Sequence, residues 1–107
     1  MPRMRGLTIL VAGADGVRFR AALELAAAQA ALGGRARIHL LQQAVGLLAA
    51  GGELQLLRAE AIALGVEISA CQTGLSANPD CPLPDGVEAD GMIGLLSRLD
   101  DDRLLTF

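Results

Sequence analysis

The sequence predicts an α/β fold: a three-layer α/β/α sandwich around a five-stranded, mostly parallel sheet, in a single domain over residues 1–107. Three observations lead there. Short β-prone runs alternate with segments of helical period, joined by short connections, which is the pattern of right-handed strand–helix–strand units. The first run, Leu7 to Gly13, is nearly continuously apolar and suits a strand covered on both faces. The length is near the common size of one domain, and a chain of this size buries roughly two thirds of its unfolded surface.

After that first strand, residues 13–16 (Gly-Ala-Asp-Gly) turn the chain, and Asp15 is placed to cap a helix by accepting from free backbone N–H groups. The spacing predicts a helix from about Val17 to Leu32. Phe19, Leu23, Ala26 and Ala30 share one face, and Ala21, Leu25, Ala28 and Leu32 form a second apolar row. A helix apolar on two sides is either sandwiched or lies at a subunit contact. Gly33 and Gly34 end it. The second strand runs from Arg35 to Leu41, with Ala36, Ile38 and Leu40 on one side and His39 on the other. Residues 42–50 are irregular, a short helix or an apolar loop. Glu53 to Leu64 is a helix with Leu54, Leu57, Ala61 and Leu64 on one face, closed by Gly65. The third strand, Val66 to Cys71, runs into a small polar loop, residues 72–76.

From Gln72 to Asp90 periodicity is weakest, with Pro79, Pro82, Pro84, Asn78, Gly74 and Gly86 as turn-makers. Val87 to Ala89 forms a very short fourth strand. Asp90 is expected to cap a helix from Gly91 to Leu99 with Met92, Leu95, Leu96 and Leu99 on one face. Asp100, Asp101 and Asp102 form a turn, since three acids are unfavourable at a helix C-terminus. Residues 103–107 close the chain as a strand.

Composition removes several classes of function. Hydrophobic residues are 52% of the chain but aromatic ones only 2%, so there is no platform for stacking bases. There is no Lys, which excludes Schiff-base chemistry and a Gly-Lys-Ser/Thr phosphate loop. The net charge of -3 disfavours nucleic acid and anionic membranes, and Arg3 with Arg5 is too little for a basic arm. No window approaches the ~20 apolar residues of a membrane span, and no signal peptide precedes the first strand, so the expected compartment is the cytoplasm. Two cysteines in a reducing compartment are read as thiols.

The informative residue is Cys71. In an open parallel sheet, ligands and chemistry gather outside the carboxyl ends of the strands. A thiol there is placed to act as a nucleophile or persulfide carrier, with Gln72, Thr73 and Gly74 shaping the pocket around it. The alternative is a small buried hydrophobe, because free cysteine is among the most buried residue types. Cys81, in a Pro-rich loop, is either a resolving thiol for an oxidised Cys71 or a bystander. His39 is either a base or a satisfied structural histidine. The spacing of the two cysteines is not Cys-x-x-Cys, and two cysteines with one histidine do not make a structural zinc site. Residues 13–16 lack the three-glycine spacing of a dinucleotide fingerprint. No metal or cofactor is expected. Asp85, Glu88 and Asp90 are read as a solvated rim.

Residues 7–13, the Ala-rich helix ending at Gly33, the run Ser69-Ala70-Cys71-Gln72-Thr73-Gly74-Leu75, residues 83–92 and residues 102–107 together resemble the DsrE/DsrF-like family, which includes the DsrEFH and TusBCD sulfur-relay proteins. The resemblance implies a five-stranded sheet in a three-layer sandwich and homo-oligomers, commonly trimers or hexamers. It also implies that a cysteine at the position of Cys71 accepts sulfane sulfur as a persulfide from a donor protein and passes it to an acceptor protein. Cys81 falls where the family varies. The leading expectation is therefore a cytosolic sulfur carrier. The competing ones are a non-catalytic oligomeric binding module of the same fold and a thiol redox protein using Cys71 and Cys81.

Overall fold

A computed structural model describes residues 4–107, so the reading of Arg3 lies outside the described residues. The elements in chain order are β1 (Leu7–Val11), α1 (Gly16–Ala31), β2 (Ala36–Leu40), a 3-10 helix (Gln42–Ala49), α2 (Glu53–Ala63), β3 (Glu67–Cys71), α3 (Gln72–Ala77), β4 (Val87–Asp90), α4 (Met92–Ser97) and β5 (Arg103–Thr106). The five strands form one sheet in the order β4-β3-β2-β1-β5, and every pairing is parallel.

The chain steps in one direction from β1 to β4 and then returns past β1 to lay down β5. Right-handed crossovers put α1 and α2 on one face and the returning α4 on the other. Register agrees. Ile9, Ile38, Ile68 and Val87 align across four strands, and with Leu7, Val11, Leu40 and Ala70 they are buried under α1 and α2. Phe19, Ala22, Leu23 and Ala26 are the α1 residues that close this core. On the opposite face Arg37 Nη1 donates to the carbonyl of Arg98 at the end of α4, 2.7 Å away.

Local chemistry explains most boundaries. Asp15 caps α1 as expected, its carboxylate accepting from the Val17 and Arg18 N–H groups. Gly33 takes φ +89°, which closes the helix in a conformation that a side chain disfavours.

Three expectations are corrected. Residues 72–77 are a helix, not a loop: α3 begins directly after β3, braced against the 3-10 helix by Gly74 and closed by Asn78 Nδ2 donating to the Gly74 carbonyl at 2.8 Å. Asp90 is the last residue of β4, and Gly91 holds the cap position of α4. The Asp90 carboxylate accepts from the Gly91 N–H at 2.8 Å and pairs with Arg98. Of the face expected on α4, only Leu95 is fully buried, because the helix is six residues long and covers only part of its side of the sheet. The three acids form the expected turn, closed by the Asp102 N–H donating to the Leu99 carbonyl, while the Asp102 side chain is buried, accepting from Thr8 Oγ1 at 2.8 Å and pairing with Arg35. Arg58, unremarkable in sequence, is also buried, with Nη1 donating to the Leu48 carbonyl at 3.1 Å so that α2 is tied to the 3-10 helix.

Candidate functional site

Side chains alternate along each strand, so register decides which groups share a face. Above the α1/α2 core the faces are apolar. On the α4 side the aligned positions are polar: Arg37 beside Glu67, His39 beside Ser69, Ser69 beside Glu88, and Cys71 beside Asp90. Cys71 therefore stands at the carboxyl end of a polar ladder. His39 lies on the same face as Cys71, on the neighbouring strand and two positions lower. Strand spacing and rise put their Cα atoms about 8 Å apart. Each strand alone showed the polar alternation. The alignment needed the strand order, which sequence does not supply.

Cys71 has extended geometry, φ -60° and ψ 125°, and is both the last residue of β3 and the flanking residue of α3. It is half-buried, packs in part against the hydrophobic core and is a free thiol. Gln72 and Thr73 are exposed on the first turn of α3. Gly74 is buried and faces the 3-10 helix: a Cβ there would stand 2.7 Å from Val45 Cγ2 and 2.9 Å from Gln42 Cα. The structure thus places Gln72 and Thr73 at the surface next to the thiol, and Gly74 in the contact that holds α3 down.

Cys81 is also a free, half-buried thiol. Its Sγ lies 3.7 Å from the Val45 carbonyl, and it borders an open cleft of about 320 Å³ with Gly46, Ala49 and Asn78. A second cleft, of about 280 Å³, runs along the amino ends of β3 and β4 and is lined by Arg37, Glu67, Ser69, Glu88, Leu95 and Arg98 among others. Three of its charges are already paired: Arg37 Nε with Glu67 at 2.9 Å, and Arg98 with Asp90 outside the cleft. Among the described residues no group of three or more His, Cys, Asp or Glu side chains is placed to hold a metal ion, and no helix is long and apolar enough to cross a membrane.

His39 is fully buried. Its Nδ1 is 2.7 Å from Ser69 Oγ, and Nε2 has no partner among the described residues. Burial pushes the imidazole below its usual 6.5, with Asp90 acting upward and Arg98 downward as smaller influences. The folded protein therefore keeps His39 neutral where the unfolded chain protonates. Stability is unaffected above 6.5 and falls as pH drops below it, by up to about 1.4 kcal/mol per pH unit until the folded group itself titrates. Urea unfolding of His39→Gln across pH 4.5–7.5 is expected to show a shallower acid slope than the native chain. Equal slopes would remove His39 from the acid response.

No family model matches the chain, and no curated protein matches it. The fold, however, has a solved counterpart. The chain is similar to a conserved protein of unknown function, BT1422 from Bacteroides thetaiotaomicron, with a TM-score of 0.74, 19% sequence identity and 94% of each chain covered. At that identity the likeness establishes the shared parallel α/β architecture over nearly the whole of both chains.

Proposed function

We propose that the chain is a small sulfane-sulfur carrier of the DsrE-like kind, with Cys71 as the acceptor. The observation that carries the reading is a free, half-exposed thiol at the carboxyl end of a strand in an all-parallel sheet, the position where such sheets place their ligands. The Cys71 thiolate attacks the outer sulfur of a donor persulfide, R–S–SH. The S–S bond breaks, the donor leaves as the thiolate R–S⁻, and Cys71 carries –S–SH. An acceptor thiolate then attacks that outer sulfur, and Cys71 returns as the thiolate, with no net oxidation. Gln72 and Thr73, exposed beside the thiol, meet the incoming donor. The partners are a persulfide-bearing donor protein and a thiol-bearing acceptor protein in the cytoplasm.

Incubation with a small-molecule persulfide followed by intact-mass measurement is expected to add one sulfur atom to the native chain and none to Cys71→Ser. Equal uptake by Cys71→Ser sinks the proposal.

The contact of Cys71 with the core favours a second reading, a binding module whose thiol is inert. Under it, alkylation of Cys71 is slow in the folded chain and fast in denaturant. Under the carrier reading it is fast in both.

A further inference from the structure

The register sets Ser69 between His39 on β2 and Glu88 on β4, all three on the α4 side of the sheet. Its Oγ lies 2.7 Å from His39 Nδ1. The imidazole behind it is fully buried, whereas Ser69 is half-buried and lines the cleft of about 280 Å³. The hydroxyl is therefore open to a small molecule on one side and held on the other by a base that water does not reach. The chain has three serines, and the other two are bonded differently. Ser76 Oγ donates to the Gln72 carbonyl at 3.2 Å and Ser97 Oγ to the Gly94 carbonyl at 2.8 Å, acceptors that take up no proton. Only Ser69 faces a titratable nitrogen.

We propose that Ser69 is a nucleophile with His39 as its base, and that the cleft takes short, uncharged carboxylic esters. Ser69 Oγ attacks the ester carbon and gives its proton to Nδ1. The C–O bond to the alcohol then breaks, and the Nδ1 proton leaves with the alcohol. Water adds to the acyl carbon, Nδ1 takes its proton and returns it to Ser69 Oγ, and the carboxylic acid departs, with no net oxidation. Arg98 is the wall group that meets the oxyanion: among the described residues Asp90 takes only its Nη2, and the side chain is half-exposed. Glu88, exposed beside Ser69 and without an ion-pair partner among the described residues, repels a substrate that carries an acid. Leu95 supplies an apolar wall, and a volume of about 280 Å³, just under the ~300 Å³ at which sites for drug-sized ligands begin, keeps the acyl chain short. Action through Nδ1 puts the imidazole proton on Nε2, which has no partner among the described residues. The pair lacks the acid that steadies the imidazolium of a triad, so turnover is slow.

The charged and titratable groups on this face are Arg37 on β2, Glu67 and Cys71 on β3, Glu88 and Asp90 on β4, and Arg98 just after α4; β1 and α4 bring none. Asp90 and Arg98 act on the imidazole in opposite directions and burial outweighs both, so His39 stays neutral, and available as a base, to below pH 6.5. Peptide mapping after treatment of the folded chain with a fluorophosphonate is expected to find one modified serine, Ser69, with an Oγ–P bond in place of the P–F bond. The rate is expected to hold from neutral pH to below 6.5 and to fall as His39 gains its proton. His39→Gln is expected to slow it at least about a hundredfold. Hydrolysis of p-nitrophenyl acetate by a chain carrying Cys71→Ala and Cys81→Ala, in which no thiol competes, is expected to drop to the buffer rate when Ser69→Ala is added. Circular dichroism establishes that the variants fold, and the pH profile needs no variant. A folded native chain that takes no label overturns the proposal. So does labelling of Ser76 or Ser97 at the rate of Ser69, a flat pH profile, a labelling rate that folded His39→Gln leaves unchanged, or ester hydrolysis that survives Ser69→Ala. None of these outcomes bears on sulfur uptake by Cys71.

Discussion

Asp102→Ala is expected to lower folding stability by about 3 kcal/mol, and the melting temperature by about 12 °C or more. The Asp102 side chain has no solvent exposure. One carboxylate oxygen accepts from Thr8 Oγ1 at 2.8 Å, and the other takes the Arg35 guanidinium. The lock joins the start of β1, the approach to β2 and the entry to β5, three segments far apart in sequence. Gly6 belongs to it as well, since a Cβ there would collide with both Asp102 Oδ1 and Arg35 Nη2. Truncation leaves a buried Thr8 hydroxyl without its acceptor, and a guanidinium whose buried Nε already has no partner among the described residues. Because the Arg35 side chain is one third exposed and can turn toward water, the loss belongs at the lower end of the range for a broken buried pair. Asp102→Asn keeps an acceptor for Thr8 and is expected to lose about half as much. Urea denaturation of the two variants checks the order. An Asp102→Ala protein within 1 kcal/mol of native would show that the pair contributes little net stability.

Asp102 also marks where sequence stops being informative. Asp100, Asp101 and Asp102 are chemically identical neighbours, and nothing local separates the two solvated acids from the buried one. The distinction comes from β5 pairing with β1 rather than with β4, which brings Thr8 and Arg35 to the third acid. The strands and long helices were legible because their evidence is local: alternation in residues 36–40 and 67–71, the Asp15 cap, and the glycines that close α1 and α2. The depth of α4 was not. Met92, Leu95 and Leu96 look alike in a helical pattern, and the small area of sheet beneath six residues decides that only Leu95 is buried.

At the candidate site the division is similar. Cys71 at the end of a strand followed from the apolar run before it, and the structure keeps it there. The polar face around it did not follow. His39, Ser69 and Asp90 lie 30 and 21 residues apart along the chain, and each alternates polar with apolar for reasons that a solvated strand also satisfies. Only the register β2-β3-β4 puts them on one face with Cys71. Helix α3 was hidden for a different reason. Thr73, Gly74 and Ser76 are poor helix formers, so propensity argues for a loop, and the helix exists because tertiary packing overrides it.

That packing carries the second large expectation. Gly74→Ala is expected to destabilise the fold by about 1–2 kcal/mol although alanine is the better helix former. Two effects oppose each other. Replacing a helical glycine gains about 1 kcal/mol. Against it, the new Cβ stands 2.7 Å from Val45 Cγ2, 2.9 Å from Gln42 Cα and 3.1 Å from the Gln42 carbonyl oxygen. Val45 is fully buried and Gln42 Cα is backbone, so neither yields cheaply, and overpacking of this kind costs up to about 3 kcal/mol. The strain is relieved by α3 lifting off the 3-10 helix. Since Cys71 is the residue from which α3 springs, the same shift exposes its thiol. Gly74→Ala should therefore combine a lower urea midpoint with faster alkylation of Cys71 in the folded state. Gly46→Ala, on the other side of the same contact, meets nothing within 4 Å and is expected to change neither. If Gly74→Ala proves as stable as the native chain, helix propensity outweighs the contact, and the brace between α3 and the 3-10 helix is not what sets the position of Cys71.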